Sequence, residues 1–417
     1  MTSTNSESVR AGVTAAVSAV VMGPGDRPGG GTALTRMAGW YSASRTAAVA
    51  VVTLLIWIGF DLANPAFLSA ENLAGLFDQL VPIGVLSVGM AIVLLCGEID
   101  LSGAAVGAVA ATLTARLAVG DGLPLGVALL AGLACACAIT VFEALIVTRL
   151  GVPSFIATLG AMIALGGGLL LVLPSTFEVN LAGTSFGAIN TTEIPALAGY
   201  LIAAAGAALG AWTILAQRRS AGGAGALTLT LRLAGVAVLA VLGILASYVL
   251  GRQGGIPVPV LVLVAVVVLG ELALRKTAFG VHLLAVGGSR ASARRAGLST
   301  RAVVCGAFAI LGVMAFLSGI FSASIDLGVS ASSGPSSDVL DAIASVVVGG
   351  TSLFGGTGSV TSALVGVALI GSITNGLLLL GVSVALQSIV TGLILVAAVA
   401  TDMLLARRAA VGQAAAS

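Results

Sequence analysis

Apolar residues along this chain come in long, nearly unbroken blocks, without the alternation of a half-buried strand or the three-and-four spacing of a half-buried helix. Each block has the roughly 20 residues that a helix needs to cross about 30 Å of hydrocarbon. They fall near 46–62, 80–96, 101–119, 123–148, 153–173, 194–216, 229–251, 256–274, 302–325, 338–354, 358–380 and 383–405. The pattern predicts an all-α polytopic membrane protein with about twelve transmembrane helices. The tenth block, Asp338 to Phe354, is short and interrupted by glycine. It reads either as a crossing or as a half-helix that re-enters from the side it left.

The polar ends of the chain set its organisation. Residues 1–45 are rich in Ser, Thr, Gly and Ala and contain the Gly23-Pro24-Gly25-Asp26-Arg27-Pro28-Gly29-Gly30-Gly31 stretch, which no packed element tolerates. The expectation is a disordered cytoplasmic tail over 1–45, a transmembrane domain over 46–406 and a short cytoplasmic tail over 407–417. A signal peptide is the competing reading, with Arg10 before the apolar stretch Ala11–Met22, but a Gly/Pro-rich segment follows instead of a cleavage site. Met22 and Met37 are alternative starts.

Composition agrees with the pattern. Of 417 residues 58% are hydrophobic and 8% charged, and the mean hydropathy is +1.16, so there is too little charge to cover a soluble globule. That excludes an ordinary soluble enzyme, and a net charge of +2 argues against nucleic acid as a partner. The position of the charges is more informative. Arg149, the group Arg218, Arg219 and Arg232, the group Arg275, Lys276, Arg290, Arg294, Arg295 and Arg301, and the pair Arg407 and Arg408 all fall on one side of the predicted membrane. Asp61, Glu71, Asp78, Asp121, Glu178, Glu193, Asp326 and Asp338 fall on the other. Because cytoplasmic loops are enriched in Lys and Arg, an even number of crossings with N and C termini cytoplasmic satisfies nearly all of them, and Arg252 is the clear exception.

A parallel internal repeat is suggested by Gly97-Glu98-Ile99-Asp100-Leu101-Ser102-Gly103 and Gly349-Gly350-Thr351-Ser352-Leu353-Phe354-Gly355, which share Gly, Leu and Gly at equal offsets. Small-residue stripes at Gly103, Gly107 and Ala111, and at Gly160, Ala164 and Gly168, predict helices in close contact. Cys96, Cys135, Cys137 and Cys305 read as small core residues. His282, the single histidine, reads as a solvated loop residue beside Arg275 and Lys276, so there is no His-based triad or His-rich metal site to find.

Charges inside spans cost roughly 2.5–3.5 kcal/mol each on insertion and ask for a reason. Glu98 and Asp100 occupy the break between the second and third spans, either as part of a gate or as local stabilisers of that break. Glu143 is expected to snorkel or to pair with Arg149. Arg116 lies near the outer end of the third span, close to Asp121. The polar segment Phe279–Leu298 is basic and patterned as a short helix after the Gly287-Gly288 break, with Gly297 as its stop. It suits docking onto another protein, or is simply a solvated loop. No G-x-x-x-x-G-K-[ST] occurs, so this chain has no phosphate loop of its own. Transport would draw on an ion gradient through Glu98, Asp100 and Glu143, or on a partner ATPase. A purely structural scaffold is a third reading.

The polar segment resembles the A-x-G-G-N-x-x-A-A-x-x-x-G-I stretch of the membrane permease subunits of bacterial ABC importers for ribose, xylose and related monosaccharides. Gly97–Ser102, Pro153-Ser154-Phe155-Ile156-Ala157-Thr158-Leu159-Gly160, Asp341–Leu353 with the Gly-Gly-x-Gly-Ser that follows, Asn375-Gly376 and Gly381-Val382-Ser383 agree with the same family, in its order, from about residue 50 to 406. The extra pair of spans between Ile194 and Leu274, and Glu98 itself, resemble the xylose-type branch. The resemblance implies a permease in the bacterial inner membrane that catalyses no covalent chemistry and binds no cofactor. ATP and Mg would sit on the partner ATPase. The implied partners are a second permease copy forming a homodimer, two cytoplasmic ATPase subunits, an extracytoplasmic sugar-binding protein and membrane lipid. It further implies that residues 275–301 form the coupling loop, with Gly287, Gly288, Ala293, Arg294 and Gly297 meeting the ATPase. Ser289 stands where Asn is usual and Ala291 where an acidic residue is common. Glu98, Asp100, Ser102, Asn375 and Gln387 are the candidates for the translocation pathway, and a pentose such as xylose is the favoured cargo.

Overall fold

The computed structural model describes residues 33–221, 226–333, 338–394, 396–397 and 400, with side chains from residue 46 onward except for much of 209–239. The helices are α1 (Ala33–Ala63), α2 (Ala70–Leu95), α3 (Gly103–Ala115), α4 (Leu125–Leu145), α5 (Ser154–Val172), the single turn α6 (Ala188–Thr191), α7 (Ala196–Ala221), α8 (Ala226–Gly251), α9 (Val258–Lys276), α10 (Ala278–Gly288), α11 (Arg290–Arg295), α12 (Thr300–Ile325), α13 (Asp338–Gly349) and α14 (Val360–Leu379). A further apolar helix, α15, covers Val384–Ile394. Single π-helical turns extend α3 through Arg116–Gly120 and α4 through Ile146–Leu150. The chain also holds two short antiparallel ribbons that the hydropathy pattern did not suggest: β1 (Glu178–Asn180) with β4 (Gly328–Ser330), and β2 (Glu193–Ile194) with β3 (Ile256–Pro257). They lie in the connections, where polar backbone is free to pair outside a helix.

Among the described residues eight helices are long and apolar enough to cross a membrane, fewer than the twelve expected. The reasons differ from block to block. The sixth and seventh blocks lie in α7 and α8, helices of 26 residues each, whose described apolar parts are Ala196–Ala208 and Ala240–Gly251. The twelfth is α15, with 11 residues described. The tenth is α13, whose 12 described residues span about 18 Å at 1.5 Å per residue, shorter than a crossing needs. It ends where Gly350 turns left-handed at φ +116°. Helix α1 begins at Ala33, inside the segment expected to be a disordered tail, and residues 1–32 and 401–417, with Arg407 and Arg408, lie outside the described residues.

Packing places α2 at the centre. Of its apolar window 83% is buried, against 6% for α1 and 11% for α5, which present their apolar surface outward. Helix α2 starts ten residues before its apolar block because Ser69 caps it, the hydroxyl accepting from Asn72 N at 3.2 Å. Helices α9, α12, α13 and α14 surround α2, and α3 and α4 pack together against α12. The predicted close contact of small residues is found on α3. A Cβ on Gly107 would sit 2.5 Å from the Ala315 carbonyl oxygen of α12, and Gly319 faces the Gly107 backbone in return. The stripe Gly160, Ala164 and Gly168 on α5 is different, since nothing in the described chain lies within 4 Å of where a Cβ on Gly160 or Gly168 would be.

Candidate functional site

One end of the bundle carries Arg149, Arg275, Lys276, Arg290, Arg294, Arg295 and Arg301 around three chain reversals: the α2–α3 break, the α13–α14 break and the α10–α11 joint. The first two breaks are built alike. Helix α2 ends with Gly97 N–H donating to the Leu94 carbonyl and Glu98 N–H to the Val93 carbonyl. Helix α13 ends with Gly350 N–H on Val347 and Thr351 N–H on Val346. Both are Schellman endings with a left-handed glycine, at φ +79° and +116°. The two breaks share this ending, and in it Gly97 corresponds to Gly350, one residue later than the sequence match suggested. Helix α11 stops in the same way at Gly297, φ +80°, with Leu298 N–H on the Ala293 carbonyl, as its predicted role requires.

At the junction of the three reversals glycine lets backbone pack against backbone. A Cβ on Gly355 would lie 2.8 Å from Gly97 Cα, one on Gly356 would lie 2.7 Å from Gly288 Cα, and Gly287 abuts the Leu95 carbonyl. Gly356 N–H donates to that same carbonyl at 3.0 Å. The predicted coupling residues Gly287 and Gly288 are thus wedged between the ends of α2 and the α13–α14 break. Ala293 is buried beneath α11, while Arg294 is exposed and reaches Thr300 Oγ1 at 3.4 Å. His282 is half-buried on α10 and is not a loop residue, because α10 continues to the glycine pair.

The pathway candidates separate into different places. Glu98 is buried and ion-paired with Arg290 of the coupling segment, so it serves the junction of break and coupling segment. Asp100 is 1% exposed and caps α3: its Oδ1 accepts from the Ser102 and Gly103 N–H groups, both at 2.8 Å, and from the Ser102 hydroxyl at 3.0 Å. Ser102 Oγ also lies 3.0 Å from Glu143 Oε2. Glu143 therefore turns inward and does not pair with Arg149 as expected, and its Oε1 has no hydrogen-bond partner. Asn375 is on α14 at the opposite end, its Oδ1 accepting from Asn72 Nδ2 at 3.0 Å, and Gln387 donates to the Val382 carbonyl at 2.8 Å across the α14–α15 turn. Asp100 and Ser102 are brought together, and Asn375 and Gln387 lie apart from them.

The sequence pattern assigned no role in the site to four contributors. Arg290 was grouped only as a loop charge. Ser154 and Thr158 of α5 accept from the Ile99 and Leu101 N–H groups, both at 3.1 Å, satisfying the unwound backbone of the break, and their i, i+4 spacing was the available signal. Glu271, inside the ninth helix, accepts from Val360 N–H at 2.9 Å and Thr361 N–H at 3.2 Å, capping α14, and pairs with Arg275. Beside the coupling segment a cleft of about 590 Å³ opens between α11–α12 and the α4–α5 turn, lined by Glu98, Arg290, Arg294, Ser299, Thr300 and Arg301.

Comparison with known proteins identifies the family. Residues 72–399 match the family described as branched-chain amino acid transport system / permease component. The xylose transport system permease protein of Escherichia coli (strain K12) is 33% identical over 367 residues, covering 87% of this chain and 91% of the relative. The protein of the same description from Haemophilus influenzae is 35% identical over 80% of this chain and 88% of its own length. The ribose import permease protein of Bacillus subtilis (strain 168) is 30% identical over 78% of this chain and 82% of its own length. No solved structure matches the chain.

Proposed function

The chain belongs to the branched-chain amino acid transport system / permease component family, a family of multi-pass membrane permeases, and on that premise we propose that it is the permease subunit of an ATP-driven importer of a monosaccharide, a pentose such as xylose being the favoured cargo. The observation that carries this reading is similarity over most of the chain to permeases named for xylose and ribose. In the working assembly this chain pairs with a second copy, two cytoplasmic ATPase subunits that hold ATP and Mg, and an extracytoplasmic sugar-binding protein. The chain itself makes and breaks no covalent bond.

Under this reading the basic end is cytoplasmic, as the distribution of arginine favours, and the exposed face of α11 with its cleft receives the ATPase. A push on α11 passes to the α2–α3 break by two routes, the Glu98–Arg290 pair and the glycine contacts of Gly287 and Gly288. Because the glycine contacts are backbone against backbone, that route has no flexible side chain to absorb the motion. Displacement of the break carries Asp100, the cap of α3, and so moves α3 against α12 along the Gly107–Gly319 crossing. Alternating access would follow from that shift.

Uptake in membrane vesicles tests the assignment: import of labelled xylose or ribose should require the ATPase subunit and ATP inside the assay. The buried pair Asp100 and Glu143, with its unpartnered Glu143 Oε1, favours a second reading as an ion-coupled transporter. Uptake that persists without the ATPase and follows a proton or sodium gradient would establish that reading and overturn the first.

A further inference from the structure

Behind the α2–α3 break three buried polar side chains meet: Asp100 and Ser102 from the start of α3, and Glu143 from the last turn of α4. Ser102 Oγ stands between the two carboxyls. It lies 3.0 and 3.2 Å from the oxygens of Asp100 and 3.0 Å from Glu143 Oε2. An ionised carboxylate can only accept, and a hydroxyl carries a single hydrogen. That hydrogen cannot serve both carboxyls. With both ionised, whichever way the hydroxyl turned, a serine lone pair would face a carboxylate oxygen at 3.0 Å with a second negative charge close by. The group is one hydrogen short, and a carboxyl has to supply it.

The surroundings decide which one. Asp100 Oδ1 also accepts from the Ser102 and Gly103 N–H groups, both at 2.8 Å, at the N-terminus of α3, where the backbone dipoles favour an anion. Glu143 has no such donors. It is 1% exposed, its Oε1 has no hydrogen-bond partner, and among the described residues neither it nor Asp100 is ion-paired. The charged groups on the elements around α4 are turned elsewhere: Arg116 donates to the Val172 carbonyl, Glu98 is taken by Arg290, and Arg149 and Arg301 are exposed. An ionised Glu143 would therefore keep one oxygen bare out of water. A neutral acid leaves only a carbonyl oxygen unpaired, which costs far less. Placing the proton on Asp100 would give up the anion at the α3 cap and keep the bare ion at Glu143.

We infer that Glu143 is held as a neutral carboxylic acid whose Oε2–H donates to Ser102 Oγ, while the Ser102 hydroxyl donates to Asp100. The relay ties the last turn of α4 to the start of α3. Glu143 is thus a positioning residue that acts through Ser102 on the Asp100 cap. On the reading of the chain as an importer, on which this consequence rests, a displacement of the break that carries Asp100 carries α4 as well, so α3 and α4 move together against α12. The proton is a fixed part of the structure and not a passenger. That separates the assignment from ion coupling through the same pair, which needs the proton to leave in every cycle.

Infrared difference spectroscopy tests the protonation. The full chain is measured at neutral pH in H2O and D2O, in maltoside micelles, which carry no ester carbonyl. A carboxylic C=O band above the amide I region is expected, moving to lower frequency in D2O, absent from Glu143→Gln and retained in Asp100→Asn. Ser102→Ala, which keeps the acid and removes its acceptor, should shift the band without abolishing it and stands in for Glu143→Gln if that variant does not fold. Uptake by the complete importer in vesicles supplies the positioning readout: Glu143→Leu should lose transport, and Gln at the same position, which keeps a donor, should restore it. A spectrum that Glu143→Gln and Ser102→Ala leave unchanged, a band lost in Asp100→Asn instead, or a sodium-dependent stabilisation that Glu143→Gln removes would each overturn the inference. Equal loss of uptake in the Gln and Leu variants would overturn the positioning role. Wild-type uptake that ignores the ATPase would instead overturn the importer reading, and the band, which needs no transport, separates the two failures.

Discussion

Arginine 290 offers the sharpest test of the junction between break and coupling segment. Its guanidinium meets a Glu98 carboxylate that is 5% exposed, while Arg290 itself is 44% exposed at the edge of the 590 Å³ cleft. Truncating one partner of a fully buried pair costs about 3–5 kcal/mol, because the remaining charge has no compensation. An exposed pair is worth about 0–1 kcal/mol. This pair lies between those limits: the carboxylate is out of water but the guanidinium is not, and the cleft lets water reach the vacated position. Arg290→Ala is therefore expected to destabilise the protein by about 2 kcal/mol. Glu98→Gln removes the buried charge and should cost less, because the amide is not penalised for its burial as an ion is. In the double variant the cost of Arg290→Ala should largely disappear, giving a coupling energy of about 1–2 kcal/mol in a double-mutant cycle measured by unfolding in mixed micelles. A functional readout accompanies it: Arg290→Ala should lower the number of sugars moved per ATP with the ATPase still bound. Additivity of the two substitutions within about 0.5 kcal/mol, together with unchanged stoichiometry, would refute the pair as a mechanical link.

Gly297→Ala and Gly355→Ala separate conformational strain from contact. Both glycines are left-handed, but nothing lies within 4 Å of a Cβ on Gly297, whereas one on Gly355 meets Gly97 at 2.8 Å. The first should cost about 1 kcal/mol and the second about 2–4 kcal/mol, and unfolding in detergent that ranks them the other way defeats the glycine junction. Glu143→Gln should leave stability unchanged or raise it, since it removes a buried ionisable carboxyl with an unpartnered oxygen, while Asp100→Asn should lower it by about 1.5–3 kcal/mol by weakening the charge-assisted α3 cap. Thermal unfolding of the two variants side by side checks this. Asp326, just past the end of α12, has its carboxyl pushed above the ordinary range by burial and then by the neighbouring Asp338 charge. A raised carboxyl favours the folded state below the unfolded pKa, and that contribution is lost as pH rises through the folded value. Stability should therefore fall as pH rises from the ordinary aspartate range towards neutrality, and Asp326→Asn should flatten that part of the profile.

The apolar blocks were legible because a bilayer leaves a chain few choices. Every backbone group in hydrocarbon must be paired internally, so a long apolar run is a helix whatever surrounds it. Charge and glycine marked which end is basic and where the breaks fall, and Gly297 was recognisable as a stop because a left-handed turn after a short helix has few other residues to choose from. By itself, then, the sequence determined the class of the protein, its family and the stretches that would matter. Tertiary structure decided what those stretches do. Hydropathy has no information on length lost to a turn, so the tenth block read equally as a crossing or a half-helix, and its described helix has 12 residues. Partners distant in sequence reassigned the charges: Glu98 belongs to Arg290, 192 residues away, and Glu143 to Ser102, not to its neighbour Arg149. The match between the two breaks moved by one residue because hydrogen bonds at a helix end, and not residue identity, fix which glycine corresponds to which. Pairing across the fold is a property of three-dimensional distance, and a one-dimensional pattern records only which residues are available for it.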